Sequence, residues 1–109
     1  MSAITTHVLD TMLGRPASGI RISLEQRIGD QWTPMGEGMT DEDGRCRNLA
    51  ANADPGNYRL TFRTGDYLKR LGRSTIYPEI TITFELTGHA HYHLPLLLSD
   101  NCFTTYRGS

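Results

Sequence analysis

Apolar and polar positions alternate with a period of two along most of this chain. Ile20, Ile22 and Leu24 interleave with Arg21, Ser23 and Glu25. Tyr58, Leu60 and Phe62 interleave with Arg59, Thr61 and Arg63, and Ile80, Ile82, Phe84 and Leu86 with Thr81, Thr83, Glu85 and Thr87. Successive side chains of a strand point to opposite faces, so each run predicts a strand with one buried face and one wet or interfacial face. Turn chemistry separates the runs at Gly14-Arg15-Pro16, Gly29-Asp30, Asp41-Glu42-Asp43-Gly44 and Asp54-Pro55-Gly56-Asn57. Short strands between regular turns predict a β-sandwich or barrel. One segment breaks the rhythm. Over Gly65–Gly72 the residues Tyr67, Leu68 and Leu71 fall at helical spacing, with Gly72 as the C-cap, which predicts a single short helix.

The chain has 109 residues, 38% of them hydrophobic and 21% charged, with a net charge of −1. That length makes residues 1–109 one domain, with little room for a second core. A near-neutral balance without a basic run argues against nucleic acid or an anionic membrane as partner. No stretch approaches the roughly 20 apolar residues of a membrane span. The segment Met1-Ser2-Ala3-Ile4-Thr5-Thr6-His7 lacks the basic and apolar regions of a signal peptide, so the chain as it stands is expected to be cytoplasmic. Cys46 and Cys102 fit no metal spacing and are too few for a disulfide framework, which predicts two reduced thiols.

Three of the four histidines, His89, His91 and His93, occupy alternate positions. On a continuous strand they share one face, opposite Tyr92, Leu94, Leu96 and Leu98. Two imidazoles on one face can reach the same zinc ion, and the same pattern also describes a solvated polar face. Solvation is favoured for His89, beside Gly88, and both readings stay open for His91. His93 lies deepest, next to the apolar run that follows. His7 shares a face of the first strand with Thr5 and Leu9, opposite Ile4, Thr6 and Val8.

Arg45 follows Gly44 at the end of the acidic turn. It either pairs with Asp41 or Asp43 at the surface, where such pairs contribute little, or offers its planar fork of donors to a carbonyl or oxyanion. Arg47 competes for the second role from the same face. The last four residues, Tyr106-Arg107-Gly108-Ser109, leave the strand-like run Tyr92–Ser99 from a fixed anchor. They gather a phenol, a guanidinium, a permissive glycine and a hydroxyl, a set suited to gripping a small polar ligand.

His7-Val8-Leu9-Asp10, Gly44-Arg45, His91-Tyr92-His93-Leu94-Pro95-Leu96-Leu97 and the tail Tyr106-Arg107-Gly108-Ser109 together resemble the 5-hydroxyisourate hydrolases, the enzyme branch of the transthyretin-related family. The resemblance runs from His7 to Ser109. It implies an all-β, transthyretin-like sandwich of eight strands with one short helix. It further implies hydrolysis of 5-hydroxyisourate to 2-oxo-4-hydroxy-4-carboxy-5-ureidoimidazoline in urate degradation, without metal or cofactor. His7, Arg45 and His93 are the catalytic residues expected from it, and His7, Arg45, Tyr106, Arg107 and Ser109 the residues that bind substrate. The family's homotetramer, a dimer of dimers with sites in a channel, is implied as well. The tail marks the hydrolases, since the hormone-carrying transthyretins lack it. One departure is visible at Asp100-Asn101, where the family usually has proline and an aromatic residue. Two other readings are a transthyretin-like carrier of a small aromatic ligand and a zinc-binding hydrolase built on His89, His91 and His93.

Overall fold

A computed structural model describes residues 3–88 and 90–108. Along the chain run β1 (Ile4–Asp10), β2 (Arg15–Pro16), β3 (Arg21–Ile28), β4 (Gln31–Met39), β5 (Arg45–Ala50) and β6 (Gly56–Phe62). The helix α1 (Thr64–Arg70) and the strands β7 (Ile80–Leu86), β8 (Tyr92–Leu98) and β9 (Phe103–Thr105) complete it. One sheet has the order β2-β1-β8-β9 with β5 paired to β1, and the other the order β4-β3-β6-β7. The eight expected strands are present, and the two-residue β2 is added to them among the described residues.

The predicted alternation becomes the sandwich interior. Ile22, Leu24, Tyr58, Leu60 and Phe62 from one sheet form a single buried cluster with Ile4, Val8, Leu94, Leu96 and Leu98 from the other. The β1 strand is buried at every second residue, which leaves Thr5, His7 and Leu9 on the outer face. Parallel pairing of β1 with β8 is continuous over seven residues, from Ile4↔Tyr92 to Asp10↔Leu98.

The helix begins at Thr64 and ends at Arg70, with Leu71 as its C-cap. Gly72 stands one position further at φ +72°. Its N–H bonds Lys69 O and the Arg73 N–H bonds Leu68 O, the paired closure of a Schellman turn. Tyr67 and Leu68 point inward as the spacing predicts, whereas Leu71 is exposed because the cap turns it outward.

A buried carboxylate ties this helix to β1. Asp10 has no accessible surface, and its oxygens accept from the Tyr67 hydroxyl at 2.8 Å, from Arg73, and from the N–H groups of Met12 and Leu13. Burial alone would push the Asp10 carboxyl up, but the hydrogen bonds from Arg73, Tyr67 and Leu13 outweigh it and hold it below the usual range. Burial and Asp10 together push the Tyr67 hydroxyl up to about 12. Arg73 also meets Asp100 at 2.7 Å, and Asn101 Oδ1 accepts from the Ile76 N–H at 2.9 Å. The residues that depart from the family pattern therefore dock one loop onto another. No described helix is long and apolar enough to cross a membrane. Cys46 is buried, Cys102 is exposed, and both are free thiols.

Candidate active site

Three strands bring the predicted residues to one face of the five-stranded sheet. The β5–β1 pairing sets Arg45 opposite His7, and the β1–β8 pairing sets His93 opposite Thr5 and Pro95 opposite His7. Side chains directly opposite one another on a sheet stand about 5 Å apart at Cβ, so Arg45, His7, Thr5 and His93 form one contiguous patch.

The turn before β5 explains how Arg45 is aimed. Asp41 Oδ1 accepts from the N–H groups of Asp43 and Arg45 at 2.9 and 3.0 Å. These bonds, the Arg45 one foremost, hold the Asp41 carboxyl below its usual range. Gly44 has φ +77°, and a Cβ there would lie 2.4 Å from Val8 O, so only glycine lets the turn press against β1. Val8 N–H bonds Gly44 O at 2.8 Å and locks the approach. Asp41 thus holds the backbone of Arg45, and the half-buried guanidinium forms no salt bridge with any described residue. The competing Arg47 is exposed.

His7 Nε2 lies 2.8 Å from the carbonyl oxygen of Asp43. A carbonyl only accepts, so Nε2 is the donor in this contact, and in the tautomer protonated there Nδ1 is the acceptor. His93 Nδ1 lies 2.8 Å from Thr5 Oγ1, and His91 Nε2 reaches the same hydroxyl at 3.0 Å. The two rings stand 6.5 Å apart between centroids. Burial, the guanidinium of Arg45, and the neighbouring His7 and His91 all push the His93 pKa below its ordinary value. The ring is therefore neutral at neutral pH.

The tail runs back along β8. Gly108 pairs with His93 in the register set by β9, and its N–H bonds His93 O at 2.7 Å. A Cβ on Gly108 would lie 2.8 Å from His93 Cδ2 and 3.3 Å from Pro95 Cγ. The backbone of the tail is thus a wall against the catalytic candidate. Tyr106 is exposed. The guanidinium of Arg107 sits 4.0 Å from the centre of the Tyr92 ring, so it is engaged with Tyr92 in this chain. Hydrogen bonding with Thr87, and with it Arg107, lowers the Tyr92 hydroxyl pKa. Ser109 and His89 lie outside the described residues.

Thr5 and the Asp43 carbonyl are site groups that the sequence reading did not single out. Alternation does put Thr5 on the face of His7, but the parallel register that sets it opposite His93 has no local signal. No group of three or more His, Cys, Asp or Glu among the described residues could hold a metal ion. A groove on the outer face of the other sheet is lined by Glu25, Arg59, Arg63 and Glu79. Four of its charges pair off, Arg59 with Glu25 at 2.6 Å and Arg63 with Glu79 at 2.7 Å, and Glu37 lines it as well.

The sequence model of the HIUase/Transthyretin family matches residues 4–108. The 5-hydroxyisourate hydrolase of Mus musculus is 42% identical, covering 99% of this chain and 96% of that protein. The enzyme of the same name from Caulobacter vibrioides is 40% identical over the full length of both. Among solved structures, the 5-hydroxyisourate hydrolase of Klebsiella pneumoniae superposes with a TM-score of 0.87 at 34% identity, covering 97% of this chain and 98% of that one. Transthyretin from Sparus aurata superposes with a TM-score of 0.93 at 30% identity, covering 99% and 97%. Backbone likeness alone does not separate the two branches, but family model, relatives and structures agree on one point: this chain belongs to the HIUase/Transthyretin family.

Proposed function

We propose that this chain is a 5-hydroxyisourate hydrolase, opening a ring amide of that urate oxidation product to give 2-oxo-4-hydroxy-4-carboxy-5-ureidoimidazoline. The observation that carries the reading is the convergence of Arg45, His7 and His93 on one sheet face, with the Gly108 backbone against the His93 ring. An apolar carrier site gains little from that set. Amide hydrolysis needs a base for water, a cation for the developing oxyanion and donors to hold a flat polar ring.

His93 takes the proton from water, and its depressed pKa supports this because the ring is unprotonated at working pH. Arg45, unpaired by any carboxylate among the described residues, polarises the carbonyl under attack. His7 orients the water through its Nδ1 lone pair. When the ring C–N bond breaks, the proton passes to the leaving nitrogen. Tyr106, Arg107 and Ser109 hold the heterocycle, which requires the Arg107 side chain to move from Tyr92 to the substrate. No metal or cofactor enters this scheme.

The outer face also carries the half-buried Leu97 on the strand of His93, which supports burial of this face between copies of the chain. A homotetramer, two dimers facing across a channel, is the assembly in keeping with it, and we place the protein in the cytoplasm. The test is the ultraviolet decay of freshly generated 5-hydroxyisourate. Protein that leaves the spontaneous rate unchanged would end the enzymatic reading. The second reading, a carrier, rests on the close match to transthyretin, including a sea bream structure in complex with thyroxine. Stoichiometric binding of an aromatic ligand with no turnover would favour it.

A further inference from the structure

The Thr5 hydroxyl has one proton and two imidazole neighbours, His93 Nδ1 at 2.8 Å and His91 Nε2 at 3.0 Å. It can donate to only one of them, so the other must donate to it. Two arrangements satisfy the chain. In one, His93 Nδ1–H donates to Thr5 and Thr5 donates to His91 Nε2, leaving His93 Nε2 with a bare lone pair. In the other, every proton is reversed and His93 Nε2 carries a hydrogen.

We infer that Thr5 and His91 form a proton relay behind His93, with Thr5 as its positioning residue and exposed His91 as the acceptor of its proton. The inference rests on the hydrolase reading above. As water attacks, His93 Nε2 takes its proton, the Nδ1 proton passes to Thr5 Oγ1, and the hydroxyl's own proton passes to His91 Nε2. The balance is one proton from water to His91, with His93 neutral before and after. Its new Nε2–H is the acid for the leaving nitrogen, and donation there runs the chain in reverse.

The surroundings explain why a relay helps. An imidazolium at His93 would be half-buried and would face Arg45 from β5, His7 from β1 and His91 from the end of its own strand. At exposed His91 the same charge keeps its hydration. The outer-face position of Thr5, opposite His93 in the β1–β8 register, is what spans the two rings.

The experiment combines kinetics with nitrogen NMR of histidine-labelled protein. Free wild-type protein should show His93 protonated at Nδ1, and Thr5→Val should release that tautomer. Thr5→Val and His91→Gln should each lower kcat about tenfold or more with little change in KM, short of the about hundredfold or more lost with the base itself. The double variant should lose no more than the worse single one, because both break one chain. Thr5→Ser, which keeps the hydroxyl, should rescue turnover and the NMR signature. Valine suits a strand, and the melting temperature checks that the fold is retained. A bare His93 Nδ1 in wild-type protein, wild-type kcat in His91→Gln, or additive losses in the double variant would overturn the relay. The NMR needs no substrate, so failure of the chain is distinguishable from failure of the hydrolase reading, which would show as an inactive wild type.

Discussion

Replacing Gly108 with alanine tests the tail by a single carbon atom. The added Cβ would lie 2.8 Å from His93 Cδ2, 3.3 Å from Pro95 Cγ and 3.4 Å from His93 O. Ordinary carbon contacts begin near 3.4 Å, so the ring or the tail must yield by about 0.6 Å. Gly108 is not among the glycines with positive φ, so the cost is steric and not a matter of backbone strain. If the ring yields, the base is misplaced; if the tail yields, the wall behind the ring opens. A reacting group about 1 Å out of place loses around a hundredfold, so kcat should fall by about ten- to a hundredfold.

Stability should respond far less. The hydrogen bond from Gly108 to His93 is worth about 1 kcal/mol, and replacing a glycine restores about 0.4–1 kcal/mol through the unfolded chain. The melting temperature should move by less than about 8 °C. Stopped ultraviolet decay of the substrate and a thermal melt on the same preparation make the comparison. Wild-type kcat in Gly108→Ala would refute the claim that the tail positions His93.

The pH dependence follows from the lowered His93 pKa: kcat/KM should hold its plateau as pH falls through the ordinary histidine value of about 6.5 and decline only below it. An acid limb centred at or above that value would remove His93 as the base. Activity should survive prolonged chelation; stoichiometric zinc whose removal abolishes and whose return restores activity would replace this mechanism with a metal-dependent one. Asp10→Ala leaves Arg73 with half its partners and a cavity beneath Tyr67, and should cost about 3–5 kcal/mol in urea unfolding. A loss below about 1 kcal/mol would show that the pair contributes no more than a surface bridge.

The sandwich was legible because alternation is local: it needs only neighbours two apart, and the turn residues mark where each run stops. The helix was legible for a similar reason, with Gly72 in the αL position that a Schellman closure favours for glycine. The Arg45 turn could be placed because Asp41-Glu42-Asp43-Gly44 is a local turn signal, and Gly44 takes the left-handed backbone at φ +77°. Pairing was not legible. Period two says which face Thr5 and His93 occupy, but nothing near either residue says that they lie opposite one another across 88 positions of sequence. The meeting of Asp10 with Tyr67 and Arg73, and of Arg73 with Asp100, joins distant segments and was illegible for the same reason, and the seat of Arg107 on Tyr92 depends on the tail doubling back along β8.

The division of labour along β1 explains how one backbone serves two kinds of protein. Ile4, Thr6, Val8 and Asp10 face inward and hold the sandwich, while Thr5, His7 and Leu9 face outward, away from that packing. A change of chemistry on the outer face therefore leaves the inner packing alone, which is why a transthyretin superposes on this chain as well as a hydrolase does. The arrangement works only if register is fixed, because a slip of one residue would send His7 into the core and Val8 into the site. Three features forbid the slip: the seven-residue pairing with β8, the Gly44 backbone pressed against Val8 O, and the buried Asp10 carboxylate at the end of the strand. The outward face is free to vary because the inward face is so tightly pinned.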